Sequence, residues 1–346
     1  MIVLFLIILQ RFDAFLTAGI YTVNGSGDPR RVYELKKILI TGASGQIGTE
    51  LTTYLQSVYG HDQVVASGRH DDIRHHAIYE KLDVLSAVQL IEVIRKHQID
   101  SVIHLAAILS AQGEKNPEAL WQINMNGLYN VLEAAKETSA AVFTPSSIAA
   151  FGPETPLDHT PQLTIQRPRT IYGISKVAGE LLCDYYHHHF GVDTRGVRFP
   201  GLISHEALPG GGTTDYAVHI FYKAIETGQF SCDLGPETFL DMMYMPDALR
   251  AVVELMEADP AKLQHRNAYN ISAMSFSPSQ LAKEIQKHLP EFRMDYDVNP
   301  VKQAIADSWP NSLDDSCARA QWGWRPEYDL SAMTTHMLKV LGSRSR

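Results

Sequence analysis

The sequence contains few cysteines and no long block of basic residues. Cys183, Cys232 and Cys317 are odd in number and far apart, so they do not indicate a disulfide framework and favour a reducing compartment, the cytoplasm. The formal net charge of −9 argues against nucleic acid as the main partner. With 346 residues, 45% of them hydrophobic, the chain is long enough for one large or two modest domains.

The sequence also lacks an apolar run long enough to span a bilayer. Residues 1–9 are apolar, but so short a run cannot cross a membrane, and neither a basic region nor a small-residue cleavage site marks a secretory signal. Residues 24–31 have the composition of a linker. We expect residues 1–34 to lie outside the fold, as an upstream translation artefact or a weak interfacial anchor, without stable membrane insertion.

The histidine run 187–189 is the most conspicuous group of possible metal ligands. Adjacent histidines on a helix point in different directions, whereas a metal needs convergent ligands. The run therefore favours an exposed helix face over a metal site, and we predict no metal.

A glycine-rich loop follows the first apolar run. Residues 35–40 predict a buried strand, and residues 41–48 bring three glycines between it and a helix with apolar Leu51 and Leu55. Glycines allow backbone amides to approach a phosphate, and the start of a helix attracts an anion. Strand, loop and helix together predict a dinucleotide pyrophosphate site. The residues assigned to it are Gly42, Gly45, Gln46, Ile47 and Gly48.

Strand and helix patterns alternate through the first half of the chain. Strands are predicted at 63–67, ending at 82–84, at 101–107 and at 140–144, with helices at 86–97 and 117–138. This alternation predicts an α/β, Rossmann-like doubly wound parallel sheet. We expect residues 35–200 to form mainly the dinucleotide-binding domain and residues 201–346 mainly a smaller substrate-binding region, with some return to the sheet.

Ligands of such a sheet collect at the carboxyl ends of its strands. Asp83 is placed to reach the adenine, although it also suits a helix N-cap. Residues 198–203 predict a strand and a turn that presses on the nicotinamide. The further cofactor contacts predicted are Arg69, Asp83, Val84, Leu105, Ala106, Ala107, Asn124, Pro200 and Ile203.

The end of the second strand bears on the choice of cofactor. An acid there normally binds the adenosine ribose hydroxyls, but this chain has Gly68, followed by Arg69. Arginine can pair with a ribose phosphate or stack on the adenine. The sequence favours NAD and leaves NADP open.

Tyr172 and Lys176 are four residues apart within a helical pattern. Such a pair projects from one helix face, and the lysine ammonium stabilises the phenolate form of a general base. Ser147, at the end of the fifth strand, can donate a hydrogen bond to the same substrate oxygen. A chance pair on a surface helix and a serine that merely starts a turn are the alternatives. We predict that Ser147, Tyr172 and Lys176 are catalytic, and that Tyr172 and Lys176 also contact the cofactor.

With these motifs the chain resembles the extended short-chain dehydrogenase/reductase family over about residues 36–340. Within that family it is similar to the L-threonine 3-dehydrogenases of short-chain type. The strings that carry this closer resemblance include AAILSAQGEKNP (106–117), PSSIAAFGP (145–153), PGGGTTDYAV (209–218) and IADSWP (305–310).

The resemblance implies a reaction and an assembly. It implies oxidation of the β-hydroxyl of L-threonine to 2-amino-3-oxobutanoate, with NAD as hydride acceptor, by a homodimer. The glycine loop at 209–216 suits a lid over a small substrate. Predicted substrate contacts are Ser110, Ser147, Tyr172, Thr213, Thr214 and Trp309, although Trp309 suits the core equally well. A nucleotide-sugar epimerase or dehydratase and a non-catalytic dinucleotide-sensing scaffold are the alternative functions.

Overall fold

The first strand is buried on both of its faces. The structure, a computed structural model, describes residues 35–71, 78–206 and 210–344, so the leader predicted for residues 1–34 lies outside the described residues. Strand β1 (Ile38–Thr41) buries all four of its residues; Ile38 and Ile40 face one apolar cluster and Leu39 faces another. A strand covered on both faces is typical of a parallel sheet with a helical layer on each side.

Six described strands form a parallel sheet in the order β3-β2-β1-β4-β5-β7. The strands after β1 are β2 (Val64–Gly68), β3 (Tyr79–Lys81), β4 (Ser101–His104), β5 (Ala141–Phe143) and β7 (Thr194–Arg195). The helices of this half are α1 (Gln46–Tyr59), α2 (Ala87–His97), α3 (Ser110–Lys115), α4 (Pro117–Trp121), α5 (Gly127–Thr138) and α6 (Ile171–Phe190). The predicted doubly wound parallel sheet is confirmed.

Helices from both halves of the chain cover the sheet. Leu90 of α2 and Val131 of α5 pack in the cluster around Leu39. On the opposite face, Leu51 of α1 shares a cluster with Val252 of helix α8 (Met245–Glu257). The C-terminal half therefore contributes to the apolar layer that covers the six-stranded sheet.

The C-terminal half adds small sheets and short helices around the strand ends. The small sheets have the orders β12-β8-β6, β13-β11-β9 and β10-β14. Their strands are β6 (Ser146–Ser147), β8 (Val197–Phe199), β9 (Gly201–Ile203), β10 (Gln229–Cys232), β11 (Leu240–Tyr244), β12 (Tyr269–Asn270), β13 (Met274–Phe276) and β14 (Arg293–Tyr296). The further helices are α7 (Tyr216–Glu226), α9 (Pro278–Gln286), α10 (Pro300–Ala306), α11 (Ser316–Trp322) and α12 (Leu330–Arg344). No helix in the described ranges is long and apolar enough to cross a membrane.

The third strand ends earlier than predicted. It pairs with β2 only as far as Lys81 opposite Gly68, where β2 itself ends. Asp83 therefore lies in a turn after the strand, and its Oδ1 accepts a hydrogen bond from Leu85 N at 3.0 Å. The N-cap of α2 is Ser86, so the alternative role of Asp83 as that cap is wrong.

The single strand predicted at 198–203 is two strands in different sheets. Phe199 of β8 pairs with Ser147, whereas Gly201 of β9 pairs with Met242. Pro200, between them, has no N–H to give to a ladder and breaks the strand.

The long helix predicted at 117–138 is present but irregular. Between α4 and α5 it contains one π-helical segment, Gln122–Asn126. This segment lies next to the strand ends and contains Asn124, a predicted site residue.

Candidate active site

The glycine loop is closed in a way that only glycines allow. Gly42 has a φ of +73°, and a Cβ there would lie 2.7 Å from Ala106 N. A Cβ on Gly48 would lie 2.2 Å from Gly42 O. Gly45, the N-cap of α1, has no side chain to satisfy the first N–H groups of that helix. Loop and helix start thus form a cradle that fits a dinucleotide pyrophosphate.

The start of α6 fixes the tyrosine and the lysine. Thr170 Oγ1 accepts a hydrogen bond from Gly173 N at 3.0 Å and caps the helix. One turn later, Lys176 Nζ lies 5.3 Å from the centre of the Tyr172 ring. The same ammonium donates to Pro145 O at 2.7 Å, so α6 is fastened to the segment that leads into Ser147.

Ser147 lies beyond the fifth strand, at whose end it was predicted, because β5 stops at Phe143 and a separate strand in another sheet follows. It ends β6, and its Oγ accepts a hydrogen bond from Ala149 N at 3.2 Å, which caps the short turn Ile148–Ala150. It also lines the same pocket as Tyr172 and Lys176. Ser147 therefore both starts a turn and lines the pocket, so the two interpretations of this residue are compatible.

One pocket of about 230 Å³ brings most of the predicted site together. It contains the three predicted catalytic residues and every predicted substrate contact. The predicted catalytic and substrate residues that line it are Ser110, Ser147, Tyr172, Lys176, Thr213, Thr214 and Trp309. The predicted cofactor residues that line it are Gly42, Gly45, Gln46, Ile47, Gly48, Leu105, Ala107, Tyr172, Lys176 and Pro200.

Other predicted cofactor residues lie outside this pocket. Ala106 and Asn124 line a smaller cavity of about 30 Å³ that adjoins Lys176. The Asn124 side chain accepts from Ile108 N at 2.8 Å and donates to Ile108 O at 3.1 Å, so it holds the backbone after β4. The remaining predicted cofactor residues line neither cavity: Arg69 is exposed, Asp83 lies in the turn after β3, and Val84 and Ile203 are buried in apolar surroundings.

Sequence reasoning missed one side chain of the pocket, Asp215, and one beside Gly68, Tyr79. Asp215 lines the pocket, and its Oδ2 accepts from Gly211 N at 2.9 Å and Gly212 N at 2.7 Å, so it holds the glycine loop closed on itself. Burial raises the pKa of Asp215. The sequence signal that could have identified Asp215 is a carboxylate shortly after consecutive glycines.

Tyr79 is the second missed side chain, beside Gly68. A Cβ on Gly68 would lie 2.8 Å from Tyr79 Oη, which donates to His70 O at 2.7 Å. The phenol thus occupies the space into which a side chain at position 68 would extend. Only the pairing of β3 with β2 brings Tyr79 there, and its position in the sequence carries no such signal.

His104, at the end of β4, is a buried, neutral histidine near Lys176, one of the predicted catalytic residues. Burial and, next, the charge of Lys176 lower the pKa of His104 to about 3. Its Nδ1 lies 2.8 Å from Thr41 Oγ1. Because it stays uncharged at physiological pH, it does not repel the Lys176 ammonium.

The amino-acid sequence is similar to known proteins. The model of the NAD dependent epimerase/dehydratase family matches residues 38–272. An uncharacterized epimerase/dehydratase of Staphylococcus saprophyticus is 54% identical over 316 residues, which cover 90% of this chain and 99% of that relative.

Solved structures with similar folds carry a more specific description. An L-threonine dehydrogenase from Clostridium difficile is 54% identical, with a TM-score of 0.89, over 90% of this chain and 99% of that one. A monomeric L-threonine 3-dehydrogenase from a metagenome is 47% identical, with a TM-score of 0.86, over 89% of this chain and 100% of that one.

Proposed function

Because the chain belongs to the NAD dependent epimerase/dehydratase family, the extended short-chain dehydrogenases/reductases, we propose that it oxidises L-threonine at its β-hydroxyl to 2-amino-3-oxobutanoate. One observation supports the proposal: Ser147, Tyr172 and Lys176 line the same pocket as the glycine cradle and as Thr213 and Thr214. The similarity to solved L-threonine dehydrogenases supports the choice of substrate.

The nicotinamide cofactor fits the residues that are present. The cradle of Gly42, Gly45 and Gly48 suits a pyrophosphate, and Pro200 and Leu105 supply apolar surface further along the pocket. When bound, NAD supplies the hydride acceptor. We propose NAD over NADP because the family resemblance implies NAD; Arg69, next to Gly68, can stack on the adenine.

In the proposed mechanism the chain's own groups handle the proton. Tyr172, as phenolate, removes the proton from the substrate hydroxyl. Ser147 donates a hydrogen bond to the same oxygen and steadies its developing charge. Lys176 favours the phenolate electrostatically and, through Pro145 O, keeps the strand of Ser147 in place.

The ends of the amino acid meet hydroxyl groups. Ser110, Thr213 and Thr214 line the pocket and are the proposed donors to the carboxylate. Among the described lining residues, Lys176 is the only cation, and Asp215 is the only carboxylate. A small zwitterion therefore suits the pocket better than a multiply charged substrate.

A panel of substrates tests the proposal. The protein is assayed with NAD and with NADP against L-threonine, L-serine and L-allo-threonine, with product identification by mass spectrometry, and against UDP-sugars for epimerisation or dehydration. We expect NAD reduction with L-threonine. Conversion of a UDP-sugar without oxidation of threonine would establish the alternative that the name of the Staphylococcus relative suggests.

Tyr172→Phe tests the base. We expect turnover to fall by at least about a hundredfold, because the variant lacks the group that takes the proton. Cofactor affinity, measured by fluorescence titration, should change little, since the glycine cradle is intact. Tyr296→Phe, at a partly exposed tyrosine of β14 that does not line the pocket, is the control and should retain turnover. Turnover within a few-fold of wild type in Tyr172→Phe would remove Tyr172 from this role.

We also propose that the protein is a homodimer, as the family resemblance implies. Helix α6 exposes an apolar stripe that includes Ile174, Leu181 and Tyr185, and exposed Tyr129 of α5 contacts Tyr186 of the same helix. Exposed apolar side chains gathered on adjacent helices are typical of protein–protein contacts.

A further inference from the structure

A buried carboxylate lies one helical turn beyond Lys176. Glu180 and Arg198 form an ion pair with Arg198 Nη2 2.8 Å from Glu180 Oε2, and each side chain is only 6% exposed. Arg198 Nε donates to Glu180 Oε1 at 3.0 Å, and Gln166 Nε2 donates to Oε2 at 3.0 Å. Ser146 Oγ donates a short hydrogen bond to Oε1. Both carboxylate oxygens are thus occupied by donors.

The donors come from the segments that build the pocket. Ser146 directly precedes Ser147, and Arg198 directly precedes Phe199, which lines the pocket. The two segments pair as strands β6 and β8, with Ser146 opposite Arg198. Glu180 therefore joins α6, which carries Tyr172 and Lys176, to the strand that carries Ser147.

Lys176 and Glu180 hold the same strand at consecutive residues. Lys176 Nζ donates to Pro145 O at 2.7 Å, and the Glu180 carboxylate accepts from Ser146. Two attachments one helical turn apart fix both the distance and the orientation of β6 relative to α6. A catalytic constellation requires such control, since a displacement of about 1 Å can cost about a hundredfold in rate.

We infer that Glu180 is a positioning residue, which holds Ser147 at its working distance from Tyr172 through Ser146 and the ion pair with Arg198. This inference rests on the proposed function for its kinetic readouts. A buried ion pair by itself is weak evidence even for stability. Kinetic measurements must therefore distinguish a positioning role of Glu180 from a purely structural one.

Glu180→Gln should change rate and pH dependence together. An amide keeps the size of the side chain but turns one acceptor into a donor, which then faces the donors of Arg198, Gln166 or Ser146. We expect kcat to fall by about ten- to a hundredfold, with KM and cofactor affinity nearly unchanged.

The loss of the Glu180 charge should also change the pH profile of kcat. In Glu180→Gln a negative charge is lost from the small cavity that Glu180 and Lys176 both line, and the charge of Arg198 is no longer balanced by an ion pair. Less negative charge beside Lys176, whose ammonium lies next to the Tyr172 ring, favours the phenolate. The acid limb of the profile of kcat against pH should therefore move to lower pH, which simple loosening of the fold would not produce.

Two further variants make the experiment decisive. Glu284→Gln is the matched control, because Glu284 is also a buried helical glutamate with an ion-pair partner, Lys287, but it does not line the pocket. It should keep the wild-type kcat and pH profile. Ser146→Ala removes the link to β6 and retains the ion pair, so kcat should fall several-fold while the acid limb stays in place.

The outcomes separate this inference from the proposed function. Ultraviolet difference titration against Tyr172→Phe follows tyrosinate formation at residue 172 without any substrate, and in Glu180→Gln it should occur at lower pH than in wild type.

If wild type fails to oxidise L-threonine, the proposed function is wrong, but the titration still tests the role of Glu180. An unshifted titration curve in Glu180→Gln overturns that role. Wild-type kcat and pH profile in a folded Glu180→Gln also overturn it. If that variant does not fold, wild-type kcat in Ser146→Ala overturns it and a several-fold loss supports it.

Discussion

In the proposed cofactor site, Gly68 at the end of β2 and Tyr79 on the neighbouring strand are the residues expected to lie beside the adenosine ribose. An acid at position 68 would accept hydrogen bonds from both ribose hydroxyls and repel a ribose phosphate. An acid at position 68 would collide with Tyr79, because a Cβ on residue 68 would lie 2.8 Å from Tyr79 Oη. The distance from the same Cβ to Tyr79 Cζ is 3.9 Å, an ordinary contact, so only the hydroxyl is in the way.

Replacing both residues should therefore sharpen the choice of cofactor. In the double variant Gly68→Asp/Tyr79→Phe the aspartate has room, and we expect the ratio of kcat/KM for NAD over NADP to rise by about tenfold or more, the scale of a charged hydrogen bond. Gly68→Asp alone should gain less, because the phenol must first move. Tyr79→Phe alone is the control for the lost hydroxyl.

Two results would contradict this assignment. An unchanged ratio in the double variant would mean that residue 68 does not face the ribose. A wild-type ratio that already favours NADP would overturn the proposal of NAD.

Helix α1 is joined to the segment after β9 by a buried carboxyl group. Ser204 Oγ donates a short hydrogen bond to Glu50, whose side chain is 9% exposed. Burial raises the pKa of Glu50 to about 7, against the opposing hydrogen bond of Ser204. A carboxyl with a raised folded-state pKa stabilises the fold while it is protonated, and that stability is lost as the pH rises through about 7.

Glu50→Gln should therefore raise the free energy of unfolding, relative to wild type, more at alkaline pH than at acid pH. The amide resembles the neutral acid at every pH, so between about pH 5 and about pH 8 its free energy of unfolding should gain up to about 3 kcal/mol on that of wild type. Urea unfolding at the two pH values measures the difference. Glu226→Gln, at an exposed ion pair on α7, is the control and should show no such pH-dependent gain. Equal effects of Glu50→Gln at both pH values would contradict the raised pKa.

The same elements show which features the sequence alone could predict. The apolar run of β1, the glycine loop and α1 are local patterns, so they were predicted together with the pyrophosphate cradle, and the family resemblance is confirmed. The split at Pro200 depends on which strands pair, since Phe199 and Gly201 find partners far apart in sequence. The placement of Tyr79 against Gly68 and of Glu180 against Ser146 likewise depends on long-range contacts.

At the scale of the whole molecule, the exposed face of α5 and α6 leaves apolar area in contact with water. Leu181 is 63% exposed, Tyr129 49%, Tyr185 48% and Ile174 42%. Burial of such area against a second copy stabilises a dimer, and in a two-fold contact each residue is buried twice. One of the similar solved structures is described as monomeric, so this face needs a direct test.

Leu181→Glu provides that test. In a two-fold dimer it would bury two carboxylates in an apolar contact, which costs several kcal/mol, so we expect dissociation to folded monomers at micromolar concentration. Sedimentation equilibrium gives the mass, and circular dichroism checks the fold. Val301→Glu, on α10, is the matched control, because Val301 is 68% exposed but lies on another helix, and it should remain dimeric. A wild-type monomer would contradict the homodimer outright, whereas a dimer that survives Leu181→Glu would place the interface on a different face of the protein.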